Sequence, residues 1–288
     1  MSDTRTETFR AVEPVLAQIR AGSGDVQITP SLDDQVRVVL DGTDDQMARA
    51  RVELSHGTLV VDTDPSPDGV PSAISSLVGL VVGRSSTDVQ LQLPAGSRLV
   101  LRGGSGDVTV TAPLEEVDIE LRSGDLHLSE VSGKARVSTG TGDVRVQRAG
   151  SVTIQTTSGD LALDEVGQAA QIVTGTGDVR LDRAGGPVEI KTGSGDLELG
   201  QAAGKVTVAL GSGDIQVNQM GPGRLEVRSG AGDVTIGVQD GLPVWTDVST
   251  VSGELVSTLP SLGRPEDGAS YLELHARTVT GDIRLQTA

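Results

Sequence analysis

From Val117 to Val217, apolar and polar residues alternate in short runs that recur with a fixed spacing. One set of apolar slots reads Val117, Ile119, Leu121, then Ala135, Val137, Thr139, then Val152, Ile154, Thr156. It continues as Ala170, Ile172, Thr174, then Val188, Ile190, Thr192, then Val206, Val208, Leu210. A second set reads Leu126 and Leu128, Val144 and Val146, Leu161 and Leu163, Val179 and Leu181, Leu197 and Leu199, Ile215 and Val217. Arg, Glu, Gln, Thr and Asp fill the places between. Alternation with period two predicts strands with one buried face. Each unit therefore holds two short strands.

A Ser/Thr-Gly-Asp turn, or a close variant, separates the two sets. Its acidic residue falls at Asp107, Asp125, Asp143, Asp160, Asp178, Asp196, Asp214 and Asp233, in steps of 18, 18, 17, 18, 18, 18 and 19 residues. Outlying copies place Asp25, Glu254 and Asp282 in the same slot. A second turn (VSGK, RAGS, EVGQ, AGGP, AAGK, MGPG) closes each unit. Val131, Ala149, Val166, Ala184, Ala202 and Met220, at or before that turn, offer one more inward contact.

Units this short cannot bury a face alone, so they must stack. The expected fold is all-β: a single-stranded parallel β-solenoid, or β-helix, of ~18-residue coils, right-handed, with irregular end caps. A compact antiparallel sandwich is the rival, but it gives no reason for such regular repetition. A one-residue slip within a strand would turn its apolar set outward, so the one-residue deviations must be absorbed in turns.

The regular coils span residues 97–238. Residues 1–9 read as a flexible tail. Residues 10–96 read as a β-rich portion continuous with the repeats, in which Ala17, Ile19 and Ala21 precede Asp25 and Val26 and Ile28 follow it. Within it, 31–63 reads as irregular strands. An insertion at 65–87 carries one apolar run, Leu77, Val78, Leu80, Val81 and Val82, expected to be a lid on the core or an association surface. Residues 239–288 read as irregular coils and a cap, with the lone Trp245, an exposed loop at 261–270 and a final TGDIRL. Solenoid ends are exposed sheet edges unless capped, so these ends are caps or polymerisation surfaces.

Composition sharpens this picture. Trp, Tyr and Phe occur once each among 288 residues while Gly occurs 38 times, which suits a thin core of branched aliphatics. The net charge of -17 repels phosphate backbones, and there are few aromatics for bases to stack on, so nucleic acid is not an expected partner. There is no cysteine, hence no disulfide or thiolate metal site. No apolar h-region or membrane-spanning run is visible, so no membrane insertion is expected and the reading is a cytoplasmic protein.

The stacked carboxylates invite two readings. As a file about 5 Å apart beside Ser or Thr hydroxyls, Asp107, Asp125, Asp143, Asp160, Asp178, Asp196, Asp214 and Asp233 are candidate ligands for Ca2+. Calcium wants six to eight oxygens, and this repeat supplies one motif per coil where the calcium-binding nonapeptide solenoids supply two. As turn residues, they would bond the nearby backbone or the hydroxyl two residues earlier. No catalytic residue is assigned. His56, His127 and His275 lie in unrelated segments, and no nucleophile elbow, phosphate loop or metalloprotease motif is present. The chain reads as a non-enzyme.

The run GGSGDVTV, RSGDLHL, TGTGDVRV, TSGDLAL, GSGDLEL and GSGDIQV, with LPAGSRL at 93–99 ahead of it, resembles a bacterial domain-of-unknown-function family of adhesin-type proteins with β-strand repeats (DUF4097-like). The resemblance covers roughly residues 10–288 and is strongest over 97–238. It implies a repetitive β architecture and association with membrane or envelope modules through a partner. The function expected is a scaffold or adhesin-like module for a protein or peptide. Self-assembly through the solenoid ends is the alternative, and weak calcium binding the third.

Overall fold

A computed structural model describes residues 3–63, 86–260 and 270–288. The described residues form 23 strands and one short helix, in two compact units, 1–132 and 133–288.

The first unit opens with β1 (Asp3–Arg10), β2 (Leu16–Ser23), β3 (Val26–Pro30), β4 (Gln35–Gly42), α1 (Asp44–Arg49), β5 (Arg51–Ser55) and β6 (Thr58–Asp62). It continues with β7 (Asp88–Leu93), β8 (Ser97–Ser105), β9 (Val108–Val110) and β10 (Leu114–Ser123), and β11 (Leu126–Thr141) begins in it. Coils are strand pairs on either side of the Gly-Asp corner, and they stack in parallel. Ala17 lies opposite Leu99, Leu99 opposite Val117, and Val108 opposite both Val26 and Leu126. Spatial order is not chain order, because β2 and β3 lie between β8/β9 on one side and β6/β7 on the other. Beyond β6 and β7 the pairing turns antiparallel: β5 joins β6, β4 joins β7, and β1 joins β4. Val36, Val38, Leu40, Leu59 and Val61 are buried there, so this cap closes the core.

Two expectations for this region need correction. Residues 3–9 are not a flexible tail but most of β1. Arg5 fixes it by donating two hydrogen bonds of 2.9 Å to the carbonyls of Met47 and Ala50, at the end of α1. And 31–63 is not strand throughout. Thr43-Asp44-Asp45-Gln46 starts a helix, with the Gln46 side chain accepting the Thr43 N–H at 2.8 Å and two acidic residues in the first turn. Met47 is its buried residue, and Ala50, the cap just past its C-terminal end, is buried too. The apolar run Leu77, Val78, Leu80, Val81 and Val82 lies outside the described residues, as does most of the loop at 261–270.

The second unit comprises β12 (Val144–Ser158), β13 (Leu161–Val166), β14 (Ala170–Thr176), β15 (Val179–Ala184), β16 (Val188–Ser194), β17 (Leu197–Ser212) and β18 (Ile215–Ala231). After these come β19 (Val234–Val238), β20 (Val244–Ser252), β21 (Leu255–Ser257), β22 (Leu272–Thr280) and β23 (Ile283–Thr287). One parallel column runs Val152, Ala170, Val188, Val206, Leu225, and the other Val144, Leu161, Val179, Leu197, Ile215, Val234. All are buried, so both strands of every coil face the core. The further inward slots Ala149, Val166, Ala184, Ala202 and Met220 are buried too.

Irregular steps fall in the second turn, as register requires. The short step pairs Ala149 with Val166 but Val152 with Ala170. The long step pairs Ala202 with Met220 but Gly204 with Gly223, a bulge at Met220-Gly221-Pro222-Gly223. Chain order fails again near the C-terminus. The last coil, β22/β23, lies between β18/β19 and β20/β21.

Candidate functional site

The Gly-Asp corner recurs from coil to coil, with Thr87-Asp88 and Gly253-Glu254 as its variants. At Gly195 the backbone passes through φ +120°, and of three successive N–H groups the middle one points away from the other two. Gly195 donates to Ser212 O of the following coil at 3.1 Å, and Leu197 to Asp214 O at 2.8 Å. The N–H of Asp196 points the other way, and donates to Oδ1 of Asp178 in the preceding coil at 2.7 Å. The corner thus turns one amide away from the main-chain ladder, and the neighbouring carboxylate accepts it.

The contact repeats with little variation. In the second unit Asp160, Asp178, Asp214 and Asp233 donate to Asp143, Asp160, Asp196 and Asp214 at 2.9, 2.9, 2.8 and 2.8 Å. Asp282 then donates to Asp233 and Glu254 to Asp282, both at 2.9 Å, following spatial rather than chain order. In the first unit Asp25, Asp107 and Asp125 donate to Asp88, Asp25 and Asp107, each at 2.9 Å. The carboxylates therefore bridge coils, where the sequence suggested a bond within their own turn. The buried hydroxyls stay local. Thr156, Thr174 and Thr192 donate to the carbonyl two residues ahead at 3.1, 3.2 and 3.3 Å.

A carboxylate makes this a charge-assisted bond, but any side-chain carbonyl can accept. Asp178→Asn is expected to cost no more than ~0.5 kcal/mol, because its amide oxygen still reaches Asp196 N–H. Asp178→Ala, which leaves that amide to water, is expected to cost ~1 kcal/mol, read as the urea midpoint shift. Equal and large losses from both would show that the charge itself is needed. Among the described residues, no three His, Cys, Asp or Glu side chains converge to hold a metal ion.

Outward positions carry the variety. Arg180 bridges Asp182 at 2.7 Å and Glu198 at 2.9 Å, and Arg183 meets Glu165 at 3.0 Å. On the other strand of the coils Lys191 holds Glu189 at 2.6 Å, which pulls the Glu189 carboxyl below its usual range. A shallow depression of about 510 Å³ crosses these coils between Val173, Lys191, Ala209 and Arg228.

The histidines stay apart. His56 occupies the β5–β6 turn at φ 48°, and His127 lies opposite Thr109 on the outward side of its coil. His275 on β22 contacts Glu273 at 2.9 Å and Asp247 of β20 at 3.4 Å, with the Trp245 ring edge-on at 5.2 Å. The His275 hydrogen bond lowers the pKa of both carboxyls, with Arg277 adding to the effect on Asp247 and Arg224 to that on Glu273. Asp247, lowered in this way, helps hold β20 to β22 at neutral pH, and that contribution is lost as pH falls through its folded value. Sequence reading passed over this cluster, whose members are 28 residues apart and meet only because β20 pairs with β22.

The Toastrack DUF4097 family matches residues 17–200 and again 152–286, and the chain belongs to that family. The overlap of the two matches is what a short repeat allows, since one pattern can be laid on the chain in more than one register. No curated protein matches the chain. Similar solved structures include a "putative adhesin" from Bacteroides fragilis, 16% identical, covering 98% of this chain and 97% of that one at TM-score 0.44. A second "putative adhesin", from Parabacteroides merdae, is 10% identical with coverages of 97% and 95% and TM-score 0.38. A "putative lipid binding protein" from Parabacteroides distasonis is 10% identical, with coverages of 99% and 97% and TM-score 0.32.

Proposed function

We propose that this toastrack chain is a non-catalytic, adhesin-like scaffold whose long β faces recognise a protein or peptide partner. One observation carries the reading. In a single register column the inward residues stay Leu, Val, Leu and Ile (161, 179, 197, 215), while their outward neighbours change from Ala162 to Arg180, Glu198 and Gln216. A constant frame that holds variable side chains at strand spacing is the arrangement of a recognition surface. The charge of -17 favours a partner segment rich in Lys or Arg over nucleic acid.

Coils of about 18 residues wound right-handed, the sense parallel crossovers prefer, belong to this reading. So does a cytoplasmic location with the envelope reached through the partner. No helix among the described residues is long and apolar enough to cross a membrane. The carboxylate column is frame in this view, because one oxygen of carboxylates such as Asp160 and Asp178 is already committed to an amide and calcium needs six to eight.

Photo-crosslinking in the native host tests it, with the reactive side chain placed at exposed Gln216 or at exposed Gln171 on the opposite strand of the coils. One face should capture one discrete protein, and less of it at high salt. Equal, diffuse capture from both faces would sink the proposal. Heat evolved on titration with millimolar calcium would move the carboxylates from frame to ligand.

A further inference from the structure

We propose that two copies of this chain join through the open edge of β20 and β21, making a closed two-fold dimer. Among the described residues β20 pairs with β22 alone and β21 with β23 alone, so each has one unpaired edge. The core is also unsealed there. Val206 and Val208 are 0% exposed in an interior coil, whereas Thr246 in the slot equivalent to Val206 is exposed, Val248 in the slot equivalent to Val208 is only partly buried, and Leu255 is 48% exposed. The opening is a cavity of about 310 Å³ lined by Val244, Thr246, Val248, Leu255, Leu259 and Leu285.

Sheet edges are normally protected by charge, proline or a bulge. β1 carries Arg5, Glu7 and Arg10, and β5 carries Arg51 and Glu53, so the unpaired edges of the first unit follow that rule. β20 reads VWTDVSTVS and β21 LVS, with no lysine, arginine or proline. The one charge within these two strands, Asp247, is held by Arg277 at 3.2 Å and His275 at 3.4 Å within its own unit. In a chain of net charge -17, β20 and β21 hold a single acidic residue between them, with exposed Glu254 at the corner that joins them.

The strand is also complementary to itself. Antiparallel pairing about Val248 puts Thr246 opposite Thr250, and Asp247 opposite Ser249 rather than another carboxylate. It sets Trp245, 52% exposed, against Val251, 83% exposed, the most exposed apolar residue of β20. Inward slots meet inward slots, so the two open cores close on each other. Because the pairing uses the same edge on both copies, assembly ends at two. The long faces remain free, so this proposal and the partner proposal can fail separately.

Sedimentation velocity on the full chain from about 1 to 200 μM tests it. A monomer–dimer equilibrium is expected, and the single tryptophan should shift its emission to the blue with the same midpoint. Ser249→Asp, facing Asp247 of the other copy, should raise the dissociation constant by ~tenfold or more, while Ser249→Lys should not. The chain has no cysteine, so Val248→Cys should form a disulfide dimer with itself on mild oxidation, and Leu32→Cys, 96% exposed in the first unit, should not. A monomer at every concentration, growth beyond two, or equal crosslinking at 32 and 248 would overturn the proposal.

Discussion

Ile190→Asp is expected to abolish cooperative folding of the second unit, while Lys191→Asp beside it changes stability by no more than ~1 kcal/mol. The two positions are adjacent on β16, but alternation sends their side chains to opposite faces. Ile190 is 0% exposed and lies between Ile172 and Val208 in the parallel column. A carboxylate there loses a buried aliphatic side chain, worth ~2 kcal/mol, and introduces a charge with no partner, which costs several more. The sum rivals the ~5–15 kcal/mol that holds a whole domain together. Lys191, by contrast, is 56% exposed, and Lys191→Asp gives up its ion pair with Glu189 and sets a second carboxylate beside it in water. Circular dichroism on heating measures the contrast. An ordinary melting transition for Ile190→Asp would mean that the apolar columns do not form the core.

The same alternation explains how much of the fold the sequence discloses. Ile154, Ile172 and Ile190 recur in one slot because parallel stacking requires each coil to bury what its neighbours bury. Period and inward face are therefore written locally, and both can be read. The order of coils is not written locally. Spacing says that residues 272–287 form a coil, yet nothing in it says that this coil lies between β18/β19 and β20/β21. The ordering of β1 is hidden for a similar reason, since Arg5 finds its carbonyl partners 42 and 45 residues away. The helix was within reach. Its capping box at Thr43 and Gln46 is a local signal, overshadowed by the alternating runs on either side.

The corner divides in the same way. That glycine and aspartate recur together is visible in sequence, but the partner of the carboxylate is not. It is an amide one coil away, reached only once the coils are stacked. Nor does the motif reveal which of its two residues matters more for shape, and the neighbouring coil decides that.

Gly195→Ala is expected to destabilise the second unit by ~3 kcal/mol or more, well beyond the cost of removing a corner carboxylate. Two penalties combine. The backbone at φ +120° disfavours any residue with a side chain, at roughly 1–2 kcal/mol. An added Cβ would also stand 2.3 Å from Gly177 O and 2.6 Å from Gly177 C, main-chain atoms that cannot rotate away. To make room, the coils must separate just where Asp196 N–H reaches Asp178 and Leu197 N–H reaches Asp214 O. Gly204→Ala isolates the first penalty. Its φ is +79°, but a Cβ there meets nothing within 4 Å, so the expected cost stays near 1 kcal/mol. Urea unfolding of the two variants beside Asp178→Ala measures all three effects on one scale. If Gly195→Ala proved no worse than Gly204→Ala, close approach of the corners would not limit the sequence there. If it proves several times worse, glycine is what lets the coils stack at their observed spacing, and the aspartate finishes a contact that the glycine makes possible.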